Sequence, residues 1–224
     1  MYKDLSEKSV AYYGLNDCYE IFSMAEDYPG HVEKELLKFA TGKIVLDAGC
    51  GSGKYLSTVE NVASKLYAVD ASKEQLNIAK TKVKNKENVI QADLVALPFE
   101  DNTFDLIYAT WVLGTIIEEE KRKKALLELN RVLRPNGRII LVENNIGGQF
   151  EMMRDRYPNT ERTKGYNEWV LSQGFKTFKE IDSYFEFANE SISKHVFREI
   201  YGEKVSLLAK QQIEHKIVMF IYEK

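Results

Sequence analysis

The chain has 224 residues, 44% of them hydrophobic and 29% charged, which is enough for one domain with a full core. Its 31 basic and 34 acidic residues give a net charge of −3, with no electrostatic footprint for nucleic acid or an anionic membrane. Cys18 and Cys50 form neither a CxxC pair nor a disulfide framework, the N-terminal residues have no apolar signal-peptide core, and no apolar run reaches the ~18 residues of a membrane span, so a cytoplasmic protein is expected.

Residues 1–30 carry Tyr2, Tyr12, Tyr13, Tyr19, Phe22 and Tyr28 on a loose helical period that Pro29-Gly30 closes. From His31, the residues Val32, Leu36, Leu37 and Ala40 make the stripe of an amphipathic helix, with Gly42 as its stop. The next stretch, Ile44-Val45-Leu46-Asp47-Ala48-Gly49-Cys50-Gly51-Ser52-Gly53-Lys54-Tyr55-Leu56, reads as strand, glycine turn and helix. That layout brings backbone N–H groups at a helix N-terminus close to a ligand, and a Cβ in the turn would block the approach. A nucleotide-type ligand is therefore expected. A dinucleotide fold calls for G-x-G-x-x-G. Here Lys54 stands at the third glycine position, and the glycine falls one residue early, at Gly53.

Leu66-Tyr67-Ala68-Val69-Asp70 is a second buried strand, and Ser72-Lys73-Glu74-Gln75 is a capping box that opens the following helix. With Ser72 as the cap, Asp70 is left at the carboxyl end of its strand, where an acid about 20 residues past the first glycine suits a ribose diol. The third strand, Asn88–Ala92, runs into Asp93-Leu94; an Asp there also suits an Asx turn. A turn over Leu97–Asp101 leads to the fourth strand, Phe104–Ala109, followed by Thr110-Trp111-Val112-Leu113-Gly114.

The charged run Glu118–Lys124 is the solvated start of a helix whose buried stripe is Ala125, Leu126, Leu129, Val132 and Leu133. Pro135-Asn136-Gly137 is expected to end it, before a fifth strand over Arg138–Glu143. Asn144, Asn145, Gly147 and Gly148 then form a loop at the ligand edge. The remainder reads as a helix over Arg162–Gln173, a strand over Phe175–Phe187, a helix over Ser191–Tyr201 and a last strand over Ile213–Tyr222.

The pattern D-x-G-x-G-x-G over Asp47–Gly53 resembles motif I of the class I S-adenosylmethionine methyltransferases, and the texts LPF…FDLIYA and RVLRPNGRIILVE are similar to that family too. The resemblance covers roughly residues 40–145 and points to the group that includes the ubiquinone/menaquinone-type enzymes. It implies an α/β, Rossmann-like doubly wound sheet of seven strands, in the order 3-2-1-4-5-7-6 with strand 7 antiparallel. It implies S-adenosyl-L-methionine as cofactor, S-adenosyl-L-homocysteine as product, and a small-molecule methyl acceptor as partner. On this reading Asp47, Gly49, Gly51, Gly53, Asp70, Ala71, Asp93, Leu94, Ala109 and Thr110 hold the cofactor. Asp93 would take the adenine amino group, and the Leu94 backbone would meet the ring. Tyr12, Tyr13, Tyr19, Trp111 and Asn144 are the candidate acceptor-side residues. The proline pair that grips adenine or glutamine amino groups after the fourth strand is absent, which disfavours those acceptors. One domain is expected, with residues 1–30 as a helical lid, 40–145 as the cofactor core and 146–224 as substrate-side elaboration and closing strands.

Methyl transfer from a sulfonium is an in-line displacement, and positioning alone can supply up to ~7–11 kcal/mol. An oxygen or carbon acceptor also needs a proton removed. His31, His195 and His215 are the candidate bases, but none sits in a motif; each reads first as a surface or structural histidine, and His195, in the C-terminal third, is the least improbable base. No metal site is expected, and no catalytic residue is named. The competing readings are a nucleotide-dependent oxidoreductase and a module that binds the cofactor without turnover.

Overall fold

The computed structural model describes residues 16–154 and 161–224, so Tyr12 and Tyr13 lie outside the described residues. The strands are β1 (Ile44–Ala48), β2 (Lys65–Asp70), β3 (Val89–Gln91), β4 (Phe104–Thr110), β5 (Leu133–Asn144), β6 (Lys176–Glu186) and β7 (Gln212–Glu223). They form a seven-stranded sheet in the order β3-β2-β1-β4-β5-β7-β6. β1 to β5 pair in parallel, and β7 runs antiparallel between β5 and β6. This is the expected architecture. A dinucleotide fold would have closed on a parallel sixth strand.

The helices are α1 (Asn16–Ala25), α2 (His31–Ala40), α3 (Leu56–Val62), α4 (Lys73–Ala79), α5 (Glu119–Val132), α6 (Gly148–Met153), α7 (Glu161–Ser172), α8 (Glu190–Tyr201) and α9 (Glu203–Ser206). Both faces of the sheet are covered, which is why its strands read as near-continuous apolar runs rather than alternating ones. Val45 and Tyr108 pack to one side with Leu36 of α2 and Val59 of α3. Their neighbours Leu46 and Ile107 pack to the other side with Ala125 and Leu129 of α5 and Val170 of α7. α5 ends at Val132, earlier than its apolar stripe suggested, because Leu133 pairs with Phe104 in the sheet. Pro135-Asn136-Gly137 therefore lies within the extended segment rather than at a helix end.

A third apolar cluster positions the site. Phe22 of α1 meets Phe150 of α6, Phe185 of β6 and Phe197 of α8, so the N-terminal helix shares a core with the C-terminal third. The chain between α1 and α2 is fixed by Asp27, which is buried in a left-handed conformation (φ 50°). Its carboxylate accepts from the free N–H groups of His31 (3.2 Å) and Val32 (2.8 Å) at the start of α2, and from the Ser183 hydroxyl (2.6 Å). The Tyr28 N–H donates to Tyr184 O on β6. Pro29-Gly30 is thus pinned to the sheet edge on its N-terminal side.

Phe104 is fully buried and meets Phe99 edge-on at 4.9 Å and Tyr67 at 5.6 Å. Phe104→Ala should destabilise the fold by about 3–5 kcal/mol, read as a lower denaturant midpoint at unchanged slope.

Candidate active site

The site lies at the carboxyl ends of β1, β2, β4 and β5, the edge where open α/β sheets bind ligands. After β1 the chain turns back sharply, and the N–H groups of Gly49 and Cys50 both donate to Val69 O of β2, at 2.8 and 2.9 Å. Gly51 adopts φ 53°, and a Cβ there would stand 3.2 Å from the Tyr19 hydroxyl. Its bare face is what leaves room above the turn. Gly53 serves packing instead: a Cβ would meet the Ala79 backbone at 3.1 Å, so the glycine lets α4 approach the loop.

A cavity of about 240 Å³ opens over this turn. At its near end are Gly49, Gly51, Asp70 and Thr110; Trp111, Asn144 and Tyr19 also stand on its wall. So the structure brings together seven of the residues singled out from the sequence. Asp47, Gly53, Ala71, Asp93, Leu94 and Ala109 are not on that wall. Asp47 lies buried beneath the turn, and burial pushes its carboxyl up to about 8. Asp93 makes the Asx contact with Val95 N (3.2 Å) and pairs with Lys121 at 3.3 Å. Leu94 and Ala109 are core residues. Nor is Asp70 left over by the helix cap: it accepts from Gly51 N at 2.9 Å and Ser72 N at 2.8 Å, so the acid and the glycine turn hold each other.

The far wall was not legible in the sequence. It holds Glu26, Lys54, Glu143, Arg154, Arg162 and Tyr166. Lys54 reaches back from the glycine turn and donates to Ser23 O (2.6 Å) and Glu26 O at the carboxyl end of α1. There an ammonium satisfies carbonyls that the helix cannot. Glu143, at the end of β5, accepts from the Tyr166 hydroxyl (2.7 Å) and Gly114 N (3.4 Å). Trp111 adopts φ 55°, a conformation that costs a bulky residue roughly 1–3 kcal/mol. Its N–H donates to Val142 O (2.7 Å), and its ring stacks 6.1 Å from His215.

His195 is exposed, with the Cys18 thiol as its neighbour at 3.6 Å, and takes no part in the wall. His31 faces Asp182 O on the surface. The buried histidine is His215 on β7, directly behind the wall. Its Nε2 lies 2.8 Å from Asn144 Oδ1, which makes Nε2 the donor and leaves Nδ1 bare, 3.5 Å from Glu26 Oε1.

Residues 46–141 match the family model described as a methyltransferase domain. The chain is 32% identical over 163 residues to the ubiquinone/menaquinone biosynthesis C-methyltransferase of Shewanella baltica, covering 69% of this chain and 61% of that one. It is 36% identical over 101 residues to a tRNA (carboxymethyluridine(34)-5-O)-methyltransferase of Arabidopsis thaliana, covering 45% of this chain and 24% of that one. It also matches methyltransferase GfsG of Streptomyces halstedii, at 30% identity over 123 residues, 52% of this chain and 43% of that one. The chain thus spans about a quarter to three fifths of the length of these relatives. Among solved structures, the YcgJ protein of Bacillus subtilis superposes with a TM-score of 0.60 at 18% identity, over 87% of this chain and 98% of that one. A SAM dependent methyltransferase from Aquifex aeolicus superposes at 0.55 and 21%, over 90% and 97%.

Residues 46–141 of this chain thus make up a methyltransferase domain.

The cofactor of the methyltransferase is S-adenosylmethionine, and the near end of the cavity fits it. Gly51 presents a face that any Cβ would fill, and Asp70 offers carboxylate oxygens at the end of β2. When bound, the cofactor supplies an electrophilic methyl group on a positively charged sulfur. What the chain supplies is a cavity with buried acids on its wall. Burial raises Glu26 to about 8, against the opposing pull of Lys54 and Arg154. Burial raises Glu143 to about 7, with the Tyr166 hydrogen bond pulling the other way. His215 is held well below its usual value by burial and by the nearby cations Arg154 and Lys54, so it is neutral. Both acids are therefore close to the pH at which a carboxyl can exchange protons.

An acid raised on folding makes the native state bind more protons than the unfolded chain, so its contribution to stability falls as pH rises from the unfolded to the folded value. For Glu143 that window runs from 4.5 to about 7. Glu143→Gln cannot ionise and should gain roughly 3 kcal/mol on the wild type across it, measured as the difference in unfolding free energy between the two ends of the window.

Proposed function

We propose that this methyltransferase transfers the methyl group of S-adenosylmethionine to a small-molecule acceptor held at the far end of the cavity. The observation that carries this reading is the wall that the N-terminal segment adds to the cavity. Tyr19, Phe22, Ser23 and Glu26 of the N-terminal segment form its roof, and Glu143, Asn144 and Trp111 form the strand-end wall. A macromolecular acceptor needs an open, basic approach, whereas here the chain carries a net charge of −3 and the roof is a helix. The tRNA methyltransferase of Arabidopsis is matched over 45% of this chain and 24% of its own length.

Asp70 would take the ribose hydroxyls, the Gly49–Gly51 turn would carry the amino-acid end of the cofactor, and Thr110 and Trp111 would border the methyl group. Holding donor and acceptor in line provides most of the acceleration. Where the acceptor is a hydroxyl or an acidic carbon, the ionised fraction of Glu26, which grows as pH rises toward about 8, is the best-placed group to receive its proton. It stands on the wall, and His215 and Asn144 fix the wall behind it. Among the described residues no helix is long and apolar enough to cross a membrane.

Calorimetry should show binding of S-adenosylmethionine and S-adenosylhomocysteine, and far weaker binding of NAD; preference for NAD would end this reading. Asp70→Asn should weaken S-adenosylhomocysteine by about 1.5–3 kcal/mol, the worth of a hydrogen bond to a charged group.

The cavity, at about 240 Å³, is smaller than the roughly 300–1,000 Å³ of sites that hold drug-sized ligands. Cofactor and acceptor together would need more room, which a rise of the roof against its contacts with Lys54 and the Phe22 cluster would give; this supports the lid expected of residues 1–30. Limited proteolysis should cut within α1 in the free protein and be slowed by S-adenosylhomocysteine. Equal rates in both states would make α1 a fixed cover.

A further inference from the structure

The far wall carries a cation that no described group neutralises. Arg154, just past α6, is 9% exposed, and its one hydrogen bond within the described residues is a long one, Nε to Phe150 O at 3.4 Å. Its Nη2 is buried without a partner. The guanidinium carbon lies over Phe150, 3.8 Å from the ring centre, with Tyr201 at 5.9 Å, so the rings hold the group while its Nη2 has no partner. A buried cation with unmet donors costs several kcal/mol unless something completes it.

The neighbours do not complete it. Glu26, whose charge Arg154 opposes, is held near 8 by burial and is mostly uncharged at neutral pH. Glu143 is engaged by Tyr166 and Gly114. Lys54 adds a second buried positive charge, already spent on the α1 carbonyls. Arg162, exposed at the start of α7, stands on the same wall and has no ion pair among the described residues. The far end of the cavity is therefore positive, planar-sided and short of an anion. The near end, with Asp70 and the glycine turn, has the opposite sign.

Resting on the methyltransferase reading above, we infer that the methyl acceptor is an anion, a planar molecule bearing a carboxylate that Arg154 grips through its outer edge and Arg162 draws in from the mouth. A guanidinium meets a carboxylate through two parallel N–H···O bonds, which orients as well as attracts. The rings of Phe150 and Tyr201 then hold the fork in place. Arg154 and Arg162 are specificity-determining residues on this assignment, and the reacting atom of the acceptor lies away from its carboxylate, toward Trp111.

The test uses pairs of probes that differ in charge alone. Benzoate and benzamide, 4-hydroxybenzoate and 4-hydroxybenzamide, and 3,4-dihydroxybenzoate and its amide are titrated by calorimetry into the full chain saturated with S-adenosylhomocysteine. Each acid should bind at least tenfold more tightly than its amide. Arg154→Gln should remove that preference, Arg154→Lys should keep part of it, and Arg162→Gln, on the exposed start of α7, should reduce it without affecting the melting temperature. Acids that bind no better than their amides overturn the inference. So does an Arg154→Gln protein that loses affinity for S-adenosylhomocysteine while keeping the acid preference, since the arginine would then serve the carboxylate of the cofactor. A protein that fails to bind S-adenosylhomocysteine at all would instead remove the methyltransferase reading itself.

Discussion

The site depends on one buried ammonium. Lys54 leaves the glycine turn, crosses to the end of α1 and closes its last carbonyls, so the turn proposed to carry the cofactor also holds the roof. Burying a lysine this deeply is unfavourable, and its proton affinity is lowered accordingly; Glu26, Asp27, Glu33 and Glu20 pull in the opposite direction. The Tyr55 and Trp111 rings lie 5.4 and 5.6 Å from the ammonium and add the attraction of their faces. Because the turn, the roof and Trp111 meet at this one group, displacement of any one of them reaches the others.

The charges of the cavity follow from this arrangement. Two cations enter from opposite sides, Lys54 from the β1 turn and Arg154 from beyond α6, and their fields reach both Glu26 and His215. The histidine responds by staying neutral, and the acid is lowered from where burial alone would put it. The chain from Glu26 through His215 to Asn144 thus consists of groups near neutrality, which is the cheapest way to keep polar atoms in a dry wall.

Most of the fold was legible in the sequence because the signals were local. β-branched runs, the capping box at Ser72 and the glycine spacing each act within a few residues, and each produced the expected element. The near end of the site was legible for the same reason: a turn after β1 and an acid after β2 are brought together by strand pairing alone. The far wall was not, because it is assembled by a tertiary cluster. Glu26, Arg154 and His215 lie far apart in the chain and meet only because Phe22, Phe150, Phe185 and Phe197 pack together. His215 shares the apolar face of its strand with Ile213 and Ile217, so alternation does mark it as buried, but nothing local names the groups it meets there. His195 had the more promising place in the sequence and is on the surface. Lys54 was visible as a departure from the dinucleotide pattern, but its partners, carbonyl oxygens of a helix some 30 residues upstream, carry no sequence identity to read.

The left-handed backbone at Trp111 sets this position against the usual direction of stabilising change. Glycine would adopt that conformation without strain, so the backbone favours the one residue that would strip the wall of its indole and leave His215 and Lys54 facing water. A glycine at position 111 would relieve about 1–3 kcal/mol of backbone strain but give up the packing of a half-buried indole, so two demands oppose one another there. Natural drift at this residue is therefore a record of which of the two demands was the stronger in a given lineage.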